Sequence, residues 1–119
     1  MRAPRRLALI VAVAGTLSLA APAVAAAAYG AIAIDRATGA WGISYNRTSL
    51  SNAKHGALVH CRGNCRVMVW VRNHCAAVVQ SPTAFVAGIG STRSRAIHDA
   101  RRRAHDSFAR RVAWTCSGN

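Results

Sequence analysis

All four cysteines of this 119-residue chain lie beyond an apolar N-terminal run, and the two features together constrain the fold more than any other. The chain opens "MRAPRRLALIVAVAGTLSLAAPAVAAAAYG". Arg2, Arg5 and Arg6 precede an apolar stretch from Leu7 to Leu19, and small residues follow, with Ala-x-Ala choices such as Ala23-Val24-Ala25. A positive end, a short greasy core and a small-residue cleavage site make a secretory signal. A transmembrane anchor needs about 20 apolar residues, and Gly15, Thr16 and Ser18 dilute this run. No cysteine stands where a lipoprotein would carry one, and the surroundings of Arg5-Arg6 fit the twin-arginine consensus poorly. Residues 1–27 are therefore expected to be a signal peptide cut near Ala25–Ala28, leaving 28–119 as one secreted domain. No later stretch is apolar enough to span a bilayer.

A domain of about 90 residues has a modest core and gains much from covalent staples in an oxidising compartment. Cys61, Cys65, Cys75 and Cys116 are an even set, so two disulfides are expected. Three pairings are open. We prefer Cys61–Cys65, closing a turn with Gly63 and Asn64, and Cys75–Cys116, tying the chain end to a central strand. Zinc on Cys61, Cys65, His74 and Cys75 is the rival. Adjacent strand residues such as His74 and Cys75 point to opposite faces, so one would miss the metal. No metal and no cofactor is expected.

Between Tyr29 and the C-terminus the pattern reads strand, strand, helix, strand, and then the same again. Ile32 and Ile34 share one face of the first strand, "DRATG" is turn chemistry, and Trp41, Ile43 and Tyr45 alternate as in a half-buried strand. A helix follows, capped by Thr48, Ser49 or Ser51, with Leu50, Ala53, Ala57 and Cys61 as its apolar stripe. "CRVMVWV" is a strand with Val67, Val69 and Val71 on one face. "CAAVVQ" and "AFVAGIG" are two more strands. The second helix is expected across "STRSRAIHDARRRAHDSFARR", burying Ile97, Ala100, Ala104 and Phe108, and "RVAWTC" closes the domain with Val112 and Trp114 inward. Thr48 aligns with Thr92 and Gly56 with Ala100, as in a degenerate internal repeat. The fold class expected is a small single α+β domain, two strand-strand-helix-strand repeats forming a mainly antiparallel sheet with two helices packed on it, stapled by disulfides.

These residues resemble an exported bacterial family, the domain of unknown function 4189. The marks are "YGAIA" after the signal, "GAWG" on the second strand, and alanines on a helix ending in Cys61. "CRVMVWVRNHCAAVV", the "GIGSTR" helix entry and the closing "WTC" complete the set. The similarity runs from Tyr29 to Cys116 and is typical of mycobacterial and other actinobacterial proteins. It implies a cysteine-stapled exported domain and transfers no catalytic residue. The second helix departs from the family, being more basic than the usual alanine- and glutamate-rich version.

Setting aside Arg2, Arg5 and Arg6 leaves thirteen basic residues against Asp35, Asp99 and Asp106. Such a balance draws polyanions: nucleic acid, anionic lipid or cell-wall polymer. Arg95, Arg101, Arg102, Arg103, Arg110 and Arg111 are the candidate contacts, with Arg101 to Arg103 expected outward and mostly uncompensated. No aromatic-interleaved RNA motif or DNA-reading finger is present, so such binding would act through phosphates and weaken with salt.

The titratable candidates for acid–base chemistry are His55, His60, His74, His98, His105 and the three aspartates. His98, Arg101 and His105 fall at i, i+3 and i+7, on one helix face, where a small nuclease could grip a phosphodiester. Glutamate is absent, which argues against a paired-carboxylate hydrolase, and bridged cysteines provide no nucleophile. No nucleophile elbow, zinc-protease signature or phosphate-cradling glycine loop occurs. The reading that follows is a secreted, non-enzymatic binding domain acting at the cell envelope or outside the cell, with a polyanion or a protein as partner. A small nuclease-like hydrolase on the His98/Arg101/His105 face is the alternative, and an inhibitor or immunity-type protein a third.

Overall fold

The computed structural model describes residues 26–118. The expected signal peptide lies almost wholly outside the described residues. The element order is β1 (Tyr29–Ile34), β2 (Trp41–Arg47), α1 (Leu50–Val59), β3 (Arg66–Arg72), β4 (Cys75–Gln80), β5 (Phe85–Gly90), α2 (Arg93–Arg103) and β6 (Arg110–Cys116). The strands form two antiparallel three-stranded sheets, ordered β2-β1-β3 and β5-β4-β6, one from each half of the chain.

Strand alternation builds four layers from this order. Ile32 and Ile34 of β1 meet Ala76 and Val78 of β4, with Val71 and Ala113, between the sheets. The opposite face of β1, Ala31 and Ala33, packs on Ala53 and Ala57 of α1. Ala77 and Val79 of β4 likewise pack on Ala96, Ile97 and Ala100 of α2. The helices therefore cover opposite outer faces of a two-sheet sandwich. Alanine dominates both helix interfaces because helix backbone and sheet come close: a Cβ on Gly42 would clash with the Ala57 carbonyl, and one on Gly88 with the Ala100 amide.

Both helices start on a hydroxyl cap. Ser49 Oγ accepts from the Asn52 amide at 3.1 Å, and Thr92 Oγ1 from the Arg95 amide at 3.2 Å. The structural partner of Thr92 is thus Ser49, not Thr48, and that of Ala100 is Ala57, not Gly56. The shift of one residue comes from a bulge in β2, where Asn46 takes φ 50° and two residues of β1 span three of β2.

A second bulge, at Met68, corrects another expectation. Ile32 pairs with Val69 and Ala33 with Val67, skipping Met68. Val67 therefore turns to α1, while Val69 and Val71 face the other sheet. β6 carries the same device: Val78 pairs with Ala113 and Val79 with Arg111, so Val112 bulges and is only half-buried. Ala113 and Thr115 are the buried residues of β6, and Trp114 is turned outward.

The second helix is shorter than expected. It ends at Arg103, and Phe108, expected in its stripe, is 94% exposed. Ala104 is the C-cap, and His105 follows in the left-handed region at φ 52°. The His105 amide donates to the Arg102 carbonyl and the Asp106 amide to the Arg101 carbonyl, both at 3.1 Å. This is the Schellman arrangement that stops a helix. The Phe108 amide then donates to Asp106 Oδ1, and the chain leaves the helix axis.

The disulfides are Cys61–Cys65, in the turn between α1 and β3, and Cys75–Cys116, across paired ends of β4 and β6. By the chain-closure estimate they stabilise by about 2 and about 4 kcal/mol respectively. Two such bonds suit an oxidising, extracytoplasmic compartment. Among the described residues no helix is long and apolar enough to cross a membrane.

Candidate functional site

The truncation of α2 creates a cleft. Ser94, Ile97, His98, Arg101, Arg102, His105, Asp106 and Ser107 line about 480 Å³ beside the last turns of the helix. His98, Arg101 and His105 all stand on this wall, the first two through helical spacing and His105 through the left-handed turn that ends the helix. Arg101 is fixed there: its Nε donates to the Ala109 carbonyl at 3.1 Å. The helix's terminal carbonyls are taken up by the Schellman bonds, so the negative helix end is partly closed off from the cleft. Asp106 is the cleft's one carboxylate, and it already accepts the Phe108 amide at 2.9 Å.

The basic residues do not form a single patch. Arg102 and Arg103 are not uncompensated: they bind Asp99 at 2.6 and 3.0 Å. Asp99 also accepts the Ile89 amide at 3.0 Å, tying edge strand β5 to α2. Burial pushes its carboxyl up, but the Ile89 amide and the two guanidinium groups outweigh that and leave its pKa below the ordinary value. Arg95 is held by Ser91 in the first turns of α2, and Arg110 by Gln80 at the start of β6. Arg111 stands elsewhere, in the groove described below.

The other titratable candidates have structural partners. His60 Nδ1 lies 2.7 Å from the Gly56 carbonyl, and His74 Nδ1 2.6 Å from the Asn73 carbonyl. His55 is exposed on α1. Asp35 is buried, and its carboxyl is held below the usual range by the Ala37 amide, which burial opposes and the Asn64 amide reinforces. Neither Asp35 nor Asp99 is poised to deliver a proton near neutral pH. With all four cysteines bridged, the zinc set has no thiolates, and the described residues contain no group of three or more metal-ligating side chains.

A second concavity was not read from the sequence. Trp41, Ile43 and Tyr45 share the face of β2 that looks toward the second sheet, but β2 is an edge strand and overhangs β6. Between them runs a groove of about 470 Å³, walled by those three residues and by Arg111 to Cys116 along β6. Trp41 is 48% exposed, Tyr45 61% and Trp114 38%. Arg93 covers the other side of Trp114, its Cζ 4.4 Å from the ring centroid. The groove ends where the strands are stitched together. Thr115 Oγ1 donates to the Ser44 carbonyl at 2.8 Å, and the Asn46 amide donates to Ser117 Oγ at 3.1 Å. The alternating aromatics were the available signal. Alternation alone gives a shared face, and only the sheet order shows that this face projects past its neighbour.

Comparison with known proteins agrees with this architecture. The family model described as "Domain of unknown function (DUF4189)" matches residues 29–116. The NMR structure of Rv1813c from Mycobacterium tuberculosis is similar, with a TM-score of 0.60 and 33% sequence identity, over 75% of this chain and 74% of that one. No curated protein matches the chain.

Proposed function

This chain belongs to the DUF4189 family, and from that premise we propose that it is an exported, non-catalytic binding domain. Its β2–β6 groove receives an extended acidic and apolar segment of another protein outside the cytoplasm. The leader-like N-terminus and the paired cysteines support the location. The exposed aromatic row supports the binding role: all three tryptophans of the chain are exposed, and small soluble domains rarely leave such residues in water without a partner.

The occupant follows from the groove's composition. Six consecutive residues of β6, Arg111 to Cys116, line it, so it runs along the strand. β6 is the outer strand of its sheet, and an extended segment can add to such an edge through its main chain. The overhanging Trp41 and Tyr45 would take apolar side chains, and Arg111 an acidic one. The excess of basic over acidic residues steers an acidic partner toward the domain.

Selection from a library of extended octapeptides, read by tryptophan fluorescence and NMR shifts, tests this. Acidic–apolar sequences should be enriched and should shift Trp41, Tyr45 and β6 signals. Trp41→Ala should weaken the selected peptide about tenfold or more, and Arg111→Glu should weaken acidic peptides selectively. Peptide binding that ignores both substitutions would end the proposal.

One observation favours a second reading, a small hydrolase: His98, Arg101 and His105 do line one cleft. Turnover of RNA or DNA that disappears in His105→Ala is its test.

A further inference from the structure

The geometry points to the α2 cleft as a binding site for a terminal phosphoryl group, one that requires no turnover and is separate from the aromatic groove. The first argument is the balance of donors and acceptors. Two imidazoles (His98, His105), two guanidinium groups (Arg101, Arg102) and two hydroxyls (Ser94, Ser107) line the cleft. Against them stands one carboxylate, Asp106, already engaged by the Phe108 amide. A wall so rich in donors calls for a ligand with several acceptor oxygens. A phosphoryl group has three terminal oxygens and close to two negative charges, whereas a carboxylate has two oxygens and one charge, and would leave donors idle. Arginine matches the planar spacing of phosphoryl oxygens, and Arg101 is already immobilised by the Ala109 carbonyl.

The second argument is the backbone at His105. Its φ of 52° is that of the residue after a helix C-cap, where glycine is usual. A side chain at such a position is disfavoured, because its Cβ crowds the following carbonyl oxygen. The fold would be served better by glycine. The residue that occupies the position instead lines the cleft, beyond the end of the helix, as His98 does. Backbone strain of this kind clusters at functional sites, and here it falls on a concave, donor-rich wall.

The third argument is charge. Arg102 shares Asp99 with Arg103, and the lining sets Arg101 and Arg102 against Asp106 alone, so the wall keeps an excess of positive charge. Each imidazole adds at least one N–H donor to the wall. The charged groups facing the imidazoles are Arg101, Arg102 and Asp106; the described lining holds no others.

NMR titration of the mature disulfide-bonded protein, with inorganic phosphate and with glycerol 2-phosphate in separate arms, tests the proposal. Saturable shifts are expected at His98, Arg101, His105 and Ser107. A tighter fit of the ester would assign the site to organic phosphates, and equal fits to the free ion. His98→Gln should cost about tenfold in affinity. His105→Gly should do the same, and because glycine suits the left-handed turn its loss cannot be put down to unfolding. Three results would each overturn the site: no saturation in either arm, shifts spread evenly over the basic surface, or affinities unchanged in both variants.

Discussion

The two halves of the molecule have the same order of elements and differ in how the chain leaves its helix. Ser49 matches Thr92, Ala53 matches Ala96, Ala57 matches Ala100, and each third strand bulges before its outward tryptophan, Trp70 or Trp114. These shared features are what one sheet and one covering helix require. After α1 the chain turns through Cys61–Cys65, and the Asn64 amide is also held by Asp35. After α2 the equivalent turn has no covalent tie. Hydrogen bonds from Arg101 to Ala109 and from Phe108 to Asp106 shape it, and the donor-lined cleft opens there. What the halves share is structural, and where they part is where a ligand can be held.

The largest test of this contrast removes the bridges separately. Cys75–Cys116 closes 41 residues of the second half, and its loss should cost about 4 kcal/mol by chain entropy. Cys61–Cys65 closes four, and its loss should cost about 2 kcal/mol. Urea unfolding of the two paired Cys→Ser variants measures both. Equal losses would mean that the short bridge organises the first half as strongly as the long one organises the second.

Next in size is the approach of each edge strand to its helix. Ser44 and Gly88 hold the same place in β2 and β5, opposite Ala31 and Ala77. Ser44 fills it with a buried hydroxyl that donates to the Ala53 carbonyl at 2.6 Å and accepts the Ala31 amide at 3.2 Å. Gly88 fills it with backbone, and a Cβ there would lie 2.6 Å from the Ala96 carbonyl. Ser44→Ala leaves polar groups unpaired and Gly88→Ala overpacks, each costing about 1–3 kcal/mol. Calorimetry should show both variants destabilised, the second with α2 displaced.

How much of this the sequence carried depends on the range of the interaction. Caps, turn residues, cysteines and the i, i+3 pair His98 and Arg101 are local and legible, whereas His105 reaches the same cleft by a turn that helical spacing does not describe. Phe108 was misplaced because periodicity continues through "RRRAHDSF" even though the backbone turns at His105. Val67 was grouped with Val69 and Val71 because a bulge leaves no mark in alternation. The groove required knowing that β2 lies beside β6, which depends on contacts between residues about seventy apart, such as Thr115 with Ser44.

Acid should affect both halves through one carboxylate each. The folded pKa values of Asp35 and Asp99 lie below their unfolded values. The stability they contribute is present above the unfolded carboxylate value of about 3.9 and is lost as pH falls through the folded values. Hydrogen exchange followed from about pH 5 downward should show the Asn64 amide losing protection with Asp35, and the Ile89 amide with Asp99. Asp99→Asn should abolish the second change and leave the first. If both amides responded together, the halves would not be separate acid-sensitive units.

The smallest effect separates function from fold most cleanly. If His105 is kept for a ligand, the fold bears its cost, and His105→Gly should raise stability by about 1 kcal/mol. Asn46 and Asn73 also take positive φ, but each side chain has a local task. Asn46 Oδ1 accepts the Gly118 amide at 3.0 Å, and Asn73 Oδ1 accepts the Ala28 amide at 2.9 Å. Glycine at either should therefore lose about as much in hydrogen bonding as it gains in backbone freedom. His105 has no such bond among the described residues, so it alone should gain from glycine. Thermal unfolding of the three variants side by side makes the comparison. A stability gain at His105 alone would show a residue retained against the interest of the fold, and a loss there would return it to the scaffold.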